Sequence, residues 1–140
     1  MLGTTTIIEK TLRSRLKAGC NTTLPRFDVL AALDRESGPV TMSRLSDRLL
    51  VSNGNVTGLV SRLVEGGLVE RNADPDDRRT LYVSLTAKGR KAFAAMAAHH
   101  ELWVDEMFES VSDRDMKTLL TLVTQLYHDV HDRMESIDAP

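Results

Sequence analysis

The chain has 140 residues, 41% of them hydrophobic and 27% charged, with a net charge of −2. That composition excludes a disordered or collagen-like chain and gives no general attraction to polyanions. No run of about 18 apolar residues exists to span a bilayer, and the single cysteine, Cys20, excludes an internal disulfide.

In chain order, the opening MLGTTTIIEK lacks the charged start and apolar stretch of a secretory signal, so a cytoplasmic protein is expected. Residues Thr5–Leu16 read as a helix with Ile7, Ile8, Leu12 and Leu16 on one side, followed by a loop over Lys17–Thr23. Pro25 suits the first turn of a second helix carrying Phe27, Leu30, Ala31 and Leu33, which stops before Ser37-Gly38-Pro39. Thr41 can cap a short helix containing Met42, Leu45 and Leu49. Ser52 is the expected N-cap of the next helix, which Gly66-Gly67 ends. Two short amphipathic helices in tight succession are a helix-turn-helix candidate.

The period then changes from 3.6 to 2. Leu68–Arg71 and Leu81–Leu85 read as two strands of a hairpin, with Leu81, Val83 and Leu85 on one face. Between them NADPDDRRT (72–80) forms a charged tip that Asp74-Pro75 should turn. Thr86 can cap a long helix with Phe93, Met96, Ala97, His100, Trp103, Val104 and Met107 at spacings of three and four. Ser112 and Asp115 resemble a capping pair for a last helix. Its Met116, Leu119, Val123, Leu126, Val130 and Met134 approximate a heptad seam. The fold class is mainly α with a small β-hairpin, in one domain of residues 1–140. A winged helix-turn-helix is expected over about 22–90, flanked by terminal helices over about 4–18 and 87–136.

The stretch SNGNVTGLVSRL (52–63) carries the chemistry. Val56, Leu59, Val60, Leu63 and Val64 make the core face, while Gly54, Gly58, Ser61 and Arg62 lie roughly opposite, with Asn55 and Thr57 at the edges. Each interior glycine costs a helix about 1 kcal/mol relative to alanine. A face stripped of bulk lets a backbone come close to base edges in a DNA major groove, where Asn and Thr side chains reach the bases. Ser52 and the helix N-terminus can hold a phosphate. The expected DNA-contacting set is Thr41, Ser43, Arg44, Ser52, Asn53, Gly54, Asn55, Thr57, Gly58, Ser61 and Arg62, with Arg78 and Arg79 at the hairpin tip. An arginine on such a wing can enter the minor groove. Asp77 can hold the Arg79 guanidinium through a bidentate pair. Residues 41–90 carry eight basic against six acidic residues, a slightly basic centre between acidic ends.

The helix-turn-helix followed by DPDDRRTLYVSLTAKGRK (74–91) resembles the MarR family of winged-helix regulators, whose most specific mark is DP-x-DRR, a strand and LT-x-x-G. The resemblance runs over essentially the whole chain. It implies that Arg79 is the minor-groove arginine, Asp77 its support, and the protein a homodimer on palindromic double-stranded DNA. The exposed stripes of the terminal helices favour the same two-fold pairing. The stretches TTLPRFDVLAAL (22–33) and LLVSNGNVTGLV (49–60) resemble a branch responding to hydroxycinnamates or their CoA thioesters. The implied function is a repressor released by a small aromatic acid or aromatic acyl-CoA.

Thr23, Arg26, His100 and Trp103 are candidate ligand residues: an aromatic ring could stack in a cleft while Arg26 pairs with a carboxylate or a CoA phosphate. His100 can equally be a satisfied core histidine. His128 and His131, beside Asp129 and Asp132, lack the further ligands of a closed metal site. Cys20 lies in the expected loop, with Lys17 its only nearby base in sequence. No catalytic residue, cofactor motif or metal site is identified, and no enzyme is expected. The alternatives are a redox- or metal-responsive DNA-binding regulator and a winged-helix module that binds protein.

Overall fold

The computed structural model describes residues 2–138, the side chains of Leu2, Asn53 and residues 134–138 excepted. The elements in order are α1 (Leu2–Cys20), α2 (Leu24–Asp34), β1 (Val40–Thr41), α3 (Met42–Leu49), α4 (Asn53–Glu65), β2 (Val69–Ala73), β3 (Leu81–Leu85), α5 (Ala87–Phe108) and α6 (Asp113–Asp138). They form two compact units, one up to Trp103 and one from Val104 onward. None of the described helices is long and apolar enough to cross a membrane.

In the first unit, helical spacing in α2, α3 and α4 converges on one core with the sheet. Leu16, Val29, Leu30, Leu45, Val56, Val60, Val69 and Val83 are its fully buried side chains. Each contributes about 1.5–3 kcal/mol by leaving water. The expected hairpin is there, with Val69 opposite Leu85 and Ala73 opposite Leu81. It reaches two residues beyond Arg71 because β3 supplies partners for Asn72 and Ala73. A third strand joins it: β1 pairs Val40 with Val83 and Thr41 with Tyr82, giving the order β1-β3-β2. Two residues are too short for a period-2 signal, so β1 is invisible in the sequence.

The first helix corrects the expected Thr5–Leu16. α1 runs from Leu2 to Cys20, and the chain leaves it at Asn21, whose φ of 49° is left-handed. The Lys17–Thr23 loop thus shrinks to three residues, and Cys20 is helical rather than in a loop. Gly19 continues the helix with the Trp103 ring against it; a Cβ there would lie 3.4 Å from that ring.

The LT-x-x-G segment joins the sheet to α5. Thr86 Oγ1 donates to Gly67 O (2.7 Å) and accepts from Gly89 N (2.9 Å), while Thr86 N donates to Leu68 O (3.1 Å). Gly89 is fixed by close approach: a Cβ would stand 1.8 Å from the Leu68 carbonyl oxygen. A glycine is therefore obligatory.

In the second unit, Asp115 N donates to Ser112 Oγ (3.2 Å), and that hydroxyl donates to the Asp115 carboxylate (2.8 Å). The carboxylate is thereby used on the cap hydroxyl, a variant of the expected pair. The seam on α6 is exposed in the single chain: Leu119, Val123, Leu126 and Val130 are between 43% and 52% accessible. Met134 lies outside the described side chains.

Candidate nucleic-acid interface

Helix α3 begins as expected, with Thr41 Oγ1 accepting from Arg44 N (3.2 Å). It ends at Leu50, which adopts φ 53°, ψ 38°; Leu50 N and Val51 N donate to Asp47 O and Ser46 O. The buried Ser46 hydroxyl donates to Val51 O (2.8 Å), locking the turn before α4. Ser52 occupies the N-cap position in extended backbone, but its side chain makes no capping bond.

The predicted division of α4 holds. Val56, Val60 and Leu63 are buried, and Leu59 and Val64 pack against the core at its edge. Gly54 and Gly58 face outward, and a Cβ on either would meet nothing within 4 Å. No neighbour within the described chain requires these glycines. They leave a groove of about 410 Å³ bounded by Val51, Asn55, Leu59 and Arg62. Asn55 and Thr57 are exposed, and Ser61 is half-buried. The Asn53 side chain, expected to contact DNA, lies outside the described residues.

Ser43 and Arg44 are exposed on α3. The structure adds two residues that sequence reading missed. Glu36 lies 3.2 Å from Arg44 and 2.7 Å from Arg48, so one largely buried carboxylate holds two guanidinia whose outer parts stay accessible. Eight residues separate Glu36 from Arg44 across a break between helices, and no local spacing rule reports such a pair.

The wing is built by two carboxylates. Asp74 Oδ1 accepts from the amides of Asp76 (2.8 Å) and Asp77 (3.1 Å). Those backbone bonds hold its carboxyl below the usual carboxylate range, with Tyr82 adding to the effect. Asp77 corrects the expectation of a bidentate pair with Arg79. Its Oδ1 accepts from the Arg79 backbone N (3.1 Å) and its Oδ2 from Thr80 Oγ1 (3.2 Å). A two-residue separation in a tight turn favours the nearby amide over the distant guanidinium. Asp77 thus positions Arg79 through its main chain, and Arg78 and Arg79 both remain exposed at the tip.

A cavity of about 420 Å³ is lined by the polar Arg26, Arg62, Cys20 and His99 together with the apolar Leu63 and Met96 of α4 and α5. The four candidate ligand residues are not gathered there. Arg26 lines the cavity, but Thr23 caps α2 by accepting from Arg26 N (3.4 Å), and Thr22 is the wall residue. His100 stacks on Phe27 with ring centroids 4.7 Å apart. Trp103 stacks on His99 at 5.9 Å and packs along Gly19. A one-residue step on a helix turns a side chain by 100°, enough to exchange His100 for His99 at the wall. His128 and His131 each lie against the Tyr127 ring, and among the described residues no three His, Cys, Asp or Glu could hold a metal ion.

The MarR family profile matches residues 21–80. The HTH-type transcriptional regulator YkoM of Bacillus subtilis is 31% identical over 117 residues, which take in 84% of this chain and 74% of YkoM. The regulator MhqR of the same organism is 30% identical over 101 residues, 72% of this chain and 68% of MhqR. Among solved structures, AbsC, a MarR family regulator of Streptomyces coelicolor, superposes with a TM-score of 0.84 at 22% identity, covering 94% of this chain and 89% of AbsC. The regulator BldR of Sulfolobus solfataricus does so at 0.76 and 29%, covering 91% and 92%. All four relatives are named as transcriptional regulators. The chain belongs to the MarR family of winged helix-turn-helix transcriptional regulators.

Proposed function

We propose that the protein is a cytoplasmic repressor that binds a palindromic operator as a homodimer and leaves it when a small aromatic acid or aromatic acyl-CoA binds. The observation that carries the DNA reading is the open outward face of α4, where Gly54 and Gly58 leave the backbone accessible beside Asn55 and Arg62. In a two-fold dimer two such helices enter successive major grooves about 34 Å apart. Arg79, presented by the Asp77-supported turn, enters the flanking minor groove. The exposed apolar seam of α6 supports pairing with a second copy.

The cavity that Arg26 and Arg62 line favours an anionic aromatic ligand. Its apolar residues suit a ring, and Arg26 and Arg62 suit a carboxylate or a thioester's phosphates. Arg62 borders both the cavity and the outward groove. An anion in the cavity therefore draws on a guanidinium that a DNA phosphate would otherwise use. Ligand binding shifts the population toward a state that fits the operator less well.

Footprinting on the DNA upstream of the protein's own gene tests this, at two salt concentrations and with or without p-coumaroyl-CoA. A protected palindrome lost on adding the thioester is expected. Protection that ignores both the thioester and the free hydroxycinnamate would overturn the ligand reading. Absence of duplex binding at either salt would overturn the repressor reading at this site.

A further inference from the structure

The turn between α3 and α4 carries a residue whose place the fold does not explain. Leu50 sits at φ 53°, ψ 38°, a left-handed conformation that glycine or asparagine adopts more readily than leucine. Its side chain gains no burial in return, being 62% exposed beside Val51 at 39%. Main-chain bonds from Leu50 N and Val51 N, with the Ser46 hydroxyl on Val51 O, close the turn without the Leu50 side chain. Val51 forms one lip of the groove that Gly54, Asn55 and Gly58 line. The exposed apolar pair is thus continuous with the outward face of α4.

We propose that Leu50 and Val51 read thymine at the edge of the operator half-site, by apolar contact with its C5-methyl group. Of the four bases only thymine shows an apolar group in the major groove, so an apolar side chain there discriminates by that methyl alone. This rests on α4 being the DNA-reading helix, and it names what the turn before it recognises. Strain tolerated at a site facing outward fits a recognition role, since the fold alone would be served by a residue suited to left-handed backbone.

The test uses an operator selected from random duplexes, with each thymine replaced in turn by deoxyuridine, which removes only the methyl. The wild-type dimer should lose about fourfold in affinity per contacted methyl, at symmetric positions of the two half-sites. A double variant, Leu50→Asn with Val51→Ser, should bind the thymine operator more weakly and no longer distinguish it from the deoxyuridine form. Leu50→Asn alone should keep or raise the melting temperature, showing that the loss is not unfolding. Wild-type indifference to deoxyuridine at every position would overturn the proposal while leaving α4 as the reading helix. So would an unchanged thymine-to-deoxyuridine ratio in the double variant, or a change in its oligomeric state in place of that ratio. Failure to select any duplex would overturn the proposal together with the DNA reading beneath it.

Discussion

Gly89 and Arg79 belong to the same sequence signature and do opposite things. Gly89 has no room: the Leu68 carbonyl occupies the place of its Cβ. Gly89→Ala should destabilise the protein by about 3 kcal/mol, seen as an early midpoint in urea. Arg79 has nothing but room, exposed at the tip of a braced turn. Arg79→Ala should leave the melting temperature unchanged and weaken DNA binding about tenfold, with the log–log salt slope falling by about 1.8, about 0.9 for each of the dimer's two wings. An affinity within twofold of wild type would remove Arg79 from the interface. Both residues stand out in DP-x-DRR and LT-x-x-G, but the sequence does not show which of them has room around its side chain. The Leu68 contact separates them.

Among elements, the two faces of α4 are legible in the sequence because both depend on local spacing. Val56, Val60 and Leu63 recur at helical spacing and are buried, and the glycines between them face outward. What was not legible depends on distance or on a single step of rotation. Strand β1 needs β3 to exist, the Glu36 pairs cross a helix break, and the cavity wall takes His99 where the sequence favoured His100. Spacing alone gives no choice between the guanidinium of Arg79 and its amide as the group that Asp77 holds. The wing element makes its own prediction. Its turn hangs on the Asp74 carboxylate, held below its ordinary value by two amides. A carboxyl so depressed lends its support above the usual carboxylate range and loses it as pH falls through its lowered value. Asp74→Ala should therefore weaken DNA binding by about as much as Arg79→Ala, with little change in melting temperature. Hydrogen exchange at the amides of Asp76 and Asp77 should accelerate, and equal exchange rates would show that the turn does not depend on Asp74.

At the scale of the whole molecule, the open outward face of α4 and the braced wing turn are accompanied by an exposed apolar seam on α6. Leu119 and Leu126 are exposed on α6 of the single chain, and a charge there costs nothing unless something covers them. Leu119→Asp with Leu126→Asp should shift the sedimenting species from dimer to monomer and lose operator binding. A dimer that survives both changes would place the pairing surface elsewhere. The cavity beside Arg62 couples to the same assembly only if α4 is the part that touches DNA.

That central claim is tested most directly by the affinity and melting temperature of Gly58→Leu. The position is open, a Cβ there meeting nothing within 4 Å, and leucine should raise helix stability by about 0.5–1 kcal/mol. If the glycines are there for proximity, this more stable protein should lose operator affinity by on the order of 100-fold, because the side chain holds the helix away from the bases in both half-sites. Unchanged operator binding by a stable Gly58→Leu protein would contradict the account.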